Sequence, residues 1–395
     1  ELTAGGGSGR DGHRSDRLAA GLMTGTSLDG MDLAVARLRG SGPDMEIEVR
    51  ATAHRPYSEE LRDHILSSVE GEAITWEQAA GLHVGIGRWS AEVTEEMLRE
   101  MGIAPGELDL LGVHGQTVAH LPEAGSTLQL GAGSAVAARL GVPVVSDFRT
   151  ADVARGGEGA PLVPYLDWIA LTAPDHARLA CNLGGIANVT VLPQAASREA
   201  VRAFDTGPAN MVVDALARAL FDEPFDRDGR RARAGEVCRP LLEERMAGDE
   251  FLDRAPPKST GRARYGPACT RRWIERSRSY ELEPEDVIAT ATAYTAETLR
   301  DAYEQYVAPS TAVDEVLLSG GGLRNPVLVE HLRDAFDPVP VRSAAAAGLD
   351  PDGKEALCFA VLAHEFANGV STALPAVTGA DRAARLGQLA LPPAE

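Results

Sequence analysis

LAAGLMTGTSLDGMDLAVARL, residues 18–38, begins as a short apolar run, breaks at a turn of Gly, Thr, Ser and Asp, and resumes as a strand from Met31 to Leu38. Apolar segments flanking a glycine-bearing turn predict a β-hairpin. ARLACNLGGIANVTVL, residues 177–192, repeats the pattern in the other half of the chain. After the first hairpin come a strand at 46–57, helical stretches at 58–69 and 76–102, and buried strands at 108–117 and 143–148. After the second, AFDTGPAN (203–210) is a strand end running into a helix that continues to Leu220. An Arg/Asp/Glu-rich region of short helices and loops covers 222–283. A helix at 284–306, the strand and triple-glycine turn VLLSGGG (316–322) and a final helix at 353–367 complete the chain.

Two α/β halves, each opening with a glycine-containing hairpin that faces a cleft, form the architecture of the actin/hexokinase/Hsp70 group. The expected fold class is therefore α/β: a two-lobed, actin-like ATPase fold built from a duplicated ribonuclease H-like unit, with ATP in the interlobe cleft. The lobes are expected at 18–150 and 151–395. Residues 1–17 lack the apolar segment of a secretory signal and read as a disordered lead-in or an appended remnant outside the fold.

Lys+Arg number 38 against 58 Asp+Glu, a formal charge of −20. That balance argues against a nucleic-acid or anionic-membrane binder, which needs cations to neutralise phosphate. A phosphorylated substrate stays open, because a few backbone amides can hold a phosphate locally. No apolar stretch reaches the ~18 residues of a membrane helix. The four cysteines, Cys181, Cys238, Cys269 and Cys358, form no CxxC pair, which suits a reducing cytoplasm and no zinc site. Only Lys258 and Lys354 are lysine among the 38 basic residues, a hint that an ammonium is wanted at those points.

In the first turn, Thr24, Gly25, Thr26, Ser27, Leu28, Asp29, Gly30 and Met31 can curl N–H groups and hydroxyls around a phosphate, with Asp29 holding Mg²⁺ through water. A tight hairpin turn uses the same residues. Phe204-Asp205-Thr206-Gly207-Pro208-Ala209-Asn210 puts Asp205 at a buried strand end, with Thr206, Gly207 and Asn210 near a helix N-terminus, a phosphate site or simply a cap. Gly320, Gly321 and Gly322 suggest a flat ligand near the backbone, a purine, with Asn325 at its rim; a flexible loop is the plain alternative. His114, Gln116, Thr117 and Arg149, at strand ends, form a plausible sugar-binding set.

These segments resemble one family, the anhydro-N-acetylmuramic acid kinases. The match runs from about Gly21 to Leu391 through GLMTGTSLDGMD (21–32), HGQT (114–117), DFRTADVARGGEGAPLVP (147–164), NLGGIANVT (182–190), FDTGPAN (204–210), FDRDG (225–229), PKSTGR (257–262), SGGGLRN (319–325) and KEALCFAVLA (354–363). The resemblance implies ATP with Mg²⁺ as donor, 1,6-anhydro-N-acetylmuramic acid as acceptor and N-acetylmuramic acid 6-phosphate as product, in cytoplasmic peptidoglycan recycling. It implies a homodimer, and Gly159 and Glu355 among the sugar contacts. Thr24, Glu158 and Ala209 depart from the family pattern, which carries Ser, Gln and Gly there. Levoglucosan kinase has a similar pattern. A phosphohydrolase of the same superfamily would lack HGQT and GGEGAP, and a nucleotide-dependent sensor could lack Asp205; this chain has all three.

The acceptor oxygen, O6, is tied in an ether to C1 and carries no proton for a base to remove. Water must therefore attack C1, so that the opening bridge frees O6 for the γ-phosphoryl group. A carboxylate activates that water, as the base of an inverting glycosidase does. The resemblance gives this role to Asp205.

Overall fold

A computed structural model describes residues 16–25, 30–69 and 74–394. Its strands are β1 (Asp16–Thr24), β2 (Gly30–Arg39), β3 (Glu46–Pro56), β4 (Leu110–Val113), β5 (Gln116–Leu121), β6 (Ser126–Leu130), β7 (Val144–Ser146), β8 (Arg178–Leu183), β9 (Ile186–Leu192), β10 (Arg202–Pro208), β11 (Glu315–Ser319), β12 (Val341–Ser343) and β13 (Gln388–Ala390). Asp16 and Arg17, the last two residues of the segment expected to lie outside the fold, belong to β1. Arg17 is anchored there, its Nη1 donating to Asn368 Oδ1 at 2.7 Å.

Two compact units form. The first takes the described residues up to Ala151, then Glu355–Thr372 and Ala384 onward; the second takes Asp152–Lys354 and Ala373–Ala383. In the first, β1, β2 and β3 make an antiparallel meander, and β4 and then β7 add to β1 in parallel. In the second, β8, β9 and β10 make the meander, and β11 and then β12 add to β8 in parallel. Strand order and direction are the same in both units: a ribonuclease H-like topology used twice, the actin-like α/β fold.

The final helix, Lys354–Asn368, was expected in the second half. From Glu355 on it belongs to the first unit, and glycine is the reason. A Cβ on Gly21 of β1 would lie 1.9 Å from the Ala356 carbonyl oxygen, and one on Gly112 of β4 would lie 2.1 Å from that of Phe359. The two glycines let the helix backbone settle directly onto the sheet. Glu365 fastens its far end, accepting from Gly42 N at 2.7 Å and from Ser41 Oγ at 2.5 Å. β13 then pairs antiparallel with β7.

The stretch expected as one strand at 108–117 is two. Gly115 sits at φ 76°, with the Leu130 carbonyl oxygen 2.7 Å from where a Cβ would be. The turn ends β4 and starts the small β5–β6 hairpin. Each meander covers an apolar core, around Leu22, Leu33, Val35 and Met97 in the first unit and around Leu179, Val189, Phe204 and Leu332 in the second. The second unit also buries most of Pro284–Tyr306, whose Ala- and Thr-rich inner turns allow close packing.

Candidate functional site

In the first unit the β1–β2 hairpin pairs Thr24 with Met31. Thr26, Ser27, Leu28 and Asp29 lie outside the described residues, so the expected phosphate turn is seen only at its two roots. At one root the Thr24 hydroxyl is buried and has no hydrogen-bond partner among the described residues, a group that a ligand oxygen would satisfy. At the other, a Cβ on Gly30 (φ 155°) would meet the Arg55 carbonyl oxygen at 2.2 Å. Met31 is wholly buried in the core beneath the hairpin, so its side chain anchors the turn and offers a phosphate nothing.

HGQT reaches the root of this turn at Gly25. Gln116, fully buried, donates from Nε2 to the Gly25 carbonyl at 3.3 Å and accepts from Tyr57 OH at 3.1 Å. Thr117 Oγ1 accepts from Gln129 Nε2 at 3.4 Å. Arg149 Nε donates to His114 Nε2 at 3.0 Å. An imidazole nitrogen that accepts has no proton, so the neutral ring carries it on Nδ1. Burial, then the Arg149 charge, hold His114 well below the usual histidine range. His114 also lines a cavity of about 360 Å³, together with His83, Gln129, Ser134, Ser146 and Asp147. The sugar candidates His114, Gln116 and Arg149 thus come together; Glu355 stands apart from them in sequence, in the first turn of the final helix.

In the second unit Asp205 sits on β10 opposite Asn188 of β9, and the register skips Thr206 before Gly207. Such a bulge re-aims the side chains beside it. Gly207 is at φ 154°, where a Cβ would stand 3.0 Å from Thr298 Oγ1. Asp205 is 8% exposed; its backbone N donates to the Lys258 carbonyl at 3.1 Å, and its Oδ2 accepts from Thr260 N at 2.8 Å. Burial pushes its carboxyl up to about 7; the Thr260 bond and the Lys258 charge oppose that, and Glu158 adds to it. A carboxyl so poised serves as a base near neutral pH.

Lys258, rare in this sequence, lies beside that carboxyl. It is buried, donates to the Phe251 and Leu252 carbonyls at 3.3 and 3.0 Å, and stands 4.8 Å from the ring centroids of Phe251 and Tyr306. Desolvation draws its ammonium down to about 8. Ser259 Oγ donates to Glu158. Ser259 and Thr260 escaped sequence reasoning, which noted Glu158 only as a departure from the family pattern and PKSTGR only for its lysine; no local signal tells that this segment packs on FDTG. The loop that carries Glu158 wraps a buried carboxylate: Asp152 Oδ2 accepts from Gly159 N at 2.8 Å and Oδ1 from Thr378 Oγ1 at 2.8 Å. Gly159 therefore shapes this loop.

Three expectations need correction. At the helix start where Asn210 was expected on phosphate, the local amides are taken: Ala209 N, Asn210 N and Met211 N donate to the Gly184 and Gly185 carbonyls of the β8–β9 turn at 3.0–3.1 Å. Asn210 Nδ2 donates to the Leu183 carbonyl at 3.0 Å, while Thr206 is fully buried and bonds the Ala187 carbonyl. Asn325 caps the helix Pro326–Phe336, its Oδ1 accepting from Val327 N and Leu328 N at 3.1 and 3.2 Å. Two of the three glycines answer to protein packing: a Cβ on Gly320 would meet Asn182 Oδ1 at 2.6 Å, and one on Gly322 would meet Leu183 Cβ at 2.6 Å. Gly321 is exposed, and a Cβ there would meet Asn210 Nδ2 at an ordinary contact distance of 3.7 Å.

The family model described as anhydro-N-acetylmuramic acid kinase matches residues 17–392. A protein of that name from Salinibacter ruber is 51% identical over 387 residues, covering 96% of this chain and 97% of its own. Another, from Gloeobacter violaceus, is 42% identical and covers 94% and 98%. Among solved structures, the activator of 2-hydroxyisocaproyl-CoA dehydratase from Clostridium difficile aligns at 14% identity with a TM-score of 0.43, over 89% of this chain and 96% of that one.

Proposed function

The chain belongs to the anhydro-N-acetylmuramic acid kinase family, and on that premise we propose how its residues divide the reaction. It is a phosphotransferase with an alcohol acceptor that phosphorylates 1,6-anhydro-N-acetylmuramic acid. ATP supplies the γ-phosphoryl group.

One observation carries the assignment of roles: the buried carboxyl of Asp205, pushed up to about 7 and held by Thr260 N at the β10 bulge. Asp205 takes the proton from the water that attacks C1. The C1–O6 bond then breaks, and the freed O6 accepts the phosphoryl group. One oxygen of the base is fixed by Thr260 N and the Asp205 backbone by the Lys258 carbonyl, which is the pre-organisation such a step needs. The Thr24 hydroxyl, buried and without a partner among the described residues, meets a phosphate oxygen at the root of the hairpin, and exposed Gly321 leaves its backbone open to the nucleotide. His114, Gln116, Thr117 and Arg149 hold the sugar, with Glu355 and Gly159 as the further contacts that the family pattern implies.

Mg²⁺ belongs to this reading as the counter-ion of the phosphates. Asp29, its expected water-mediated holder, lies outside the described residues. Among the described residues no three His, Cys, Asp or Glu side chains converge on a metal-sized site. No helix among them is long and apolar enough to cross a membrane. Cytoplasmic placement and a homodimer complete the proposal; sedimentation at twice the chain mass supports the dimer, and sedimentation at the chain mass alone rejects it.

Turnover in H₂¹⁸O tests the ring-opening step. The label is expected in the C1 hydroxyl of the product, with unlabelled oxygen bridging C6 and phosphorus. A label in inorganic phosphate with the anhydro ring intact would mean ATP hydrolysis, and would remove the proposed mechanism.

A further inference from the structure

We propose that Glu158 is a positioning residue for the Asp205 base, acting through its grip on Ser259 and through its negative charge beside the strap that holds that base. The inference rests on the reading of Asp205 given above, and it adds a residue that reading does not use.

The strap is Lys258-Ser259-Thr260, and each residue has its own tie. The Lys258 carbonyl accepts from Asp205 N at 3.1 Å, and Lys258 Nζ is bound to the carbonyls of Phe251 and Leu252. The Ser259 hydroxyl donates to Glu158 Oε2. Thr260 N donates to Asp205 Oδ2 at 2.8 Å. Glu158 and Asp205 therefore hold consecutive residues of one short segment, and the base is aligned by a peptide N–H whose preceding side chain Glu158 fixes. Glu158 is itself held from behind, its backbone N donating to the Thr378 carbonyl at 2.8 Å.

The charges around Asp205 are few. Across β9 stands neutral Asn188, and from the helix Pro284–Tyr306 neutral Thr298 reaches Gly207. Asp301, on that same helix, acts on Lys258. The short helix Pro375–Thr378, which packs on β10, has no titratable side chain. Among the described residues that leaves Glu158 and Lys258 as the charged neighbours acting on Asp205, with opposite signs. A like charge at close range makes a carboxylate a stronger base, so Glu158 holds Asp205 protonated to higher pH than burial alone would.

Glu158→Gln separates the two contributions, because the amide oxygen can still accept from Ser259 while the charge is gone. Gln is also what the family pattern carries here, so the variant is expected to fold. The acid limb of kcat/KM should move down by roughly half to one pH unit. At pH 5.5 the variant then keeps about 3- to 8-fold more of its own plateau rate than the wild type does. Glu158→Ala loses the grip as well; its limb should move similarly, and its plateau kcat should fall further than in Glu158→Gln. Superimposable profiles for wild type and Glu158→Gln, or a limb moved upward, would overturn the proposal. Asp205→Asn, measured alongside, keeps the two readings apart: if it turns over normally the base assignment itself fails, whereas an inactive Asp205→Asn with an unmoved Glu158→Gln limb removes only the role of Glu158.

Discussion

Asp205→Asn is expected to lower turnover by a hundredfold or more, on the order of what a positioned general base contributes, while raising the melting temperature at pH 8. The two effects have one cause. Ionising a carboxyl inside this site is unfavourable, which is why its folded-state value stands at about 7 against 3.8 for the free side chain. A raised value means that the native state holds the proton more tightly than the unfolded chain. The stabilisation this gives is complete below pH 3.8 and is lost as pH rises through 7, where the folded carboxyl ionises. Above pH 7 the wild type therefore carries a buried charge at an upper limit of about 4 kcal/mol, taking roughly 1.4 kcal/mol per unit. Asparagine removes the charge and keeps an oxygen that can accept from Thr260 N. Ring opening and phosphorylation should fall together, since O6 cannot accept until the C1 bridge breaks. Melting curves at pH 5 and 8, with product assays on the same samples, check both halves. Near wild-type turnover would remove Asp205 from the mechanism, and unchanged stability at pH 8 would mean that the carboxyl is not buried as a charge.

The hairpins were legible because their signal is local: apolar runs on either side of a glycine turn appear within about twenty residues, at 18–38 and again at 177–192. The placement of Asp205 on a strand running into a helix was legible for the same reason. What failed was everything set by contacts distant in sequence. Gly21 and Gly112 are glycine because the final helix rests on them, and that helix lies more than two hundred residues away. The glycines at 320 and 322 looked like room for a ligand and are room for Asn182 and Leu183. Asn325 looked like a ligand contact and is a cap, although Asn followed by Pro326 at a helix start was a readable capping signal. The rarity of lysine pointed to PKSTGR, yet only the fold reveals that Ser259 and Thr260 beside it join Glu158 to Asp205.

The other lysine carries the largest expected effect on stability. Lys354 and Asp167 are each 2% exposed, with Nζ and Oδ1 2.6 Å apart. Asp167 Oδ2 accepts from Thr190 Oγ1 at 2.7 Å, and Lys354 Nζ reaches Ser319 Oγ at 3.3 Å. The neighbourhood is dry: burial pushes the nearby Cys181 thiol well above its ordinary range, with Lys354 and Asp167 acting on it in opposite senses. A buried pair contributes little compared with a well-packed apolar pair, but removing one member strands the other charge. Lys354→Met should therefore destabilise the second unit by roughly 3–5 kcal/mol, a fall in Tm on the order of 10 °C for a unit of this size. Adding Asp167→Asn should recover much of that loss, because no charge is then left buried and the amide oxygen still accepts from Thr190. Function should follow a different course. Ser319 directly precedes Gly320, so without the ammonium the glycine turn loses a tether, and KM for ATP should rise in the single and the double variant alike. A double variant no more stable than Lys354→Met would show that packing, and not a stranded charge, sets the loss.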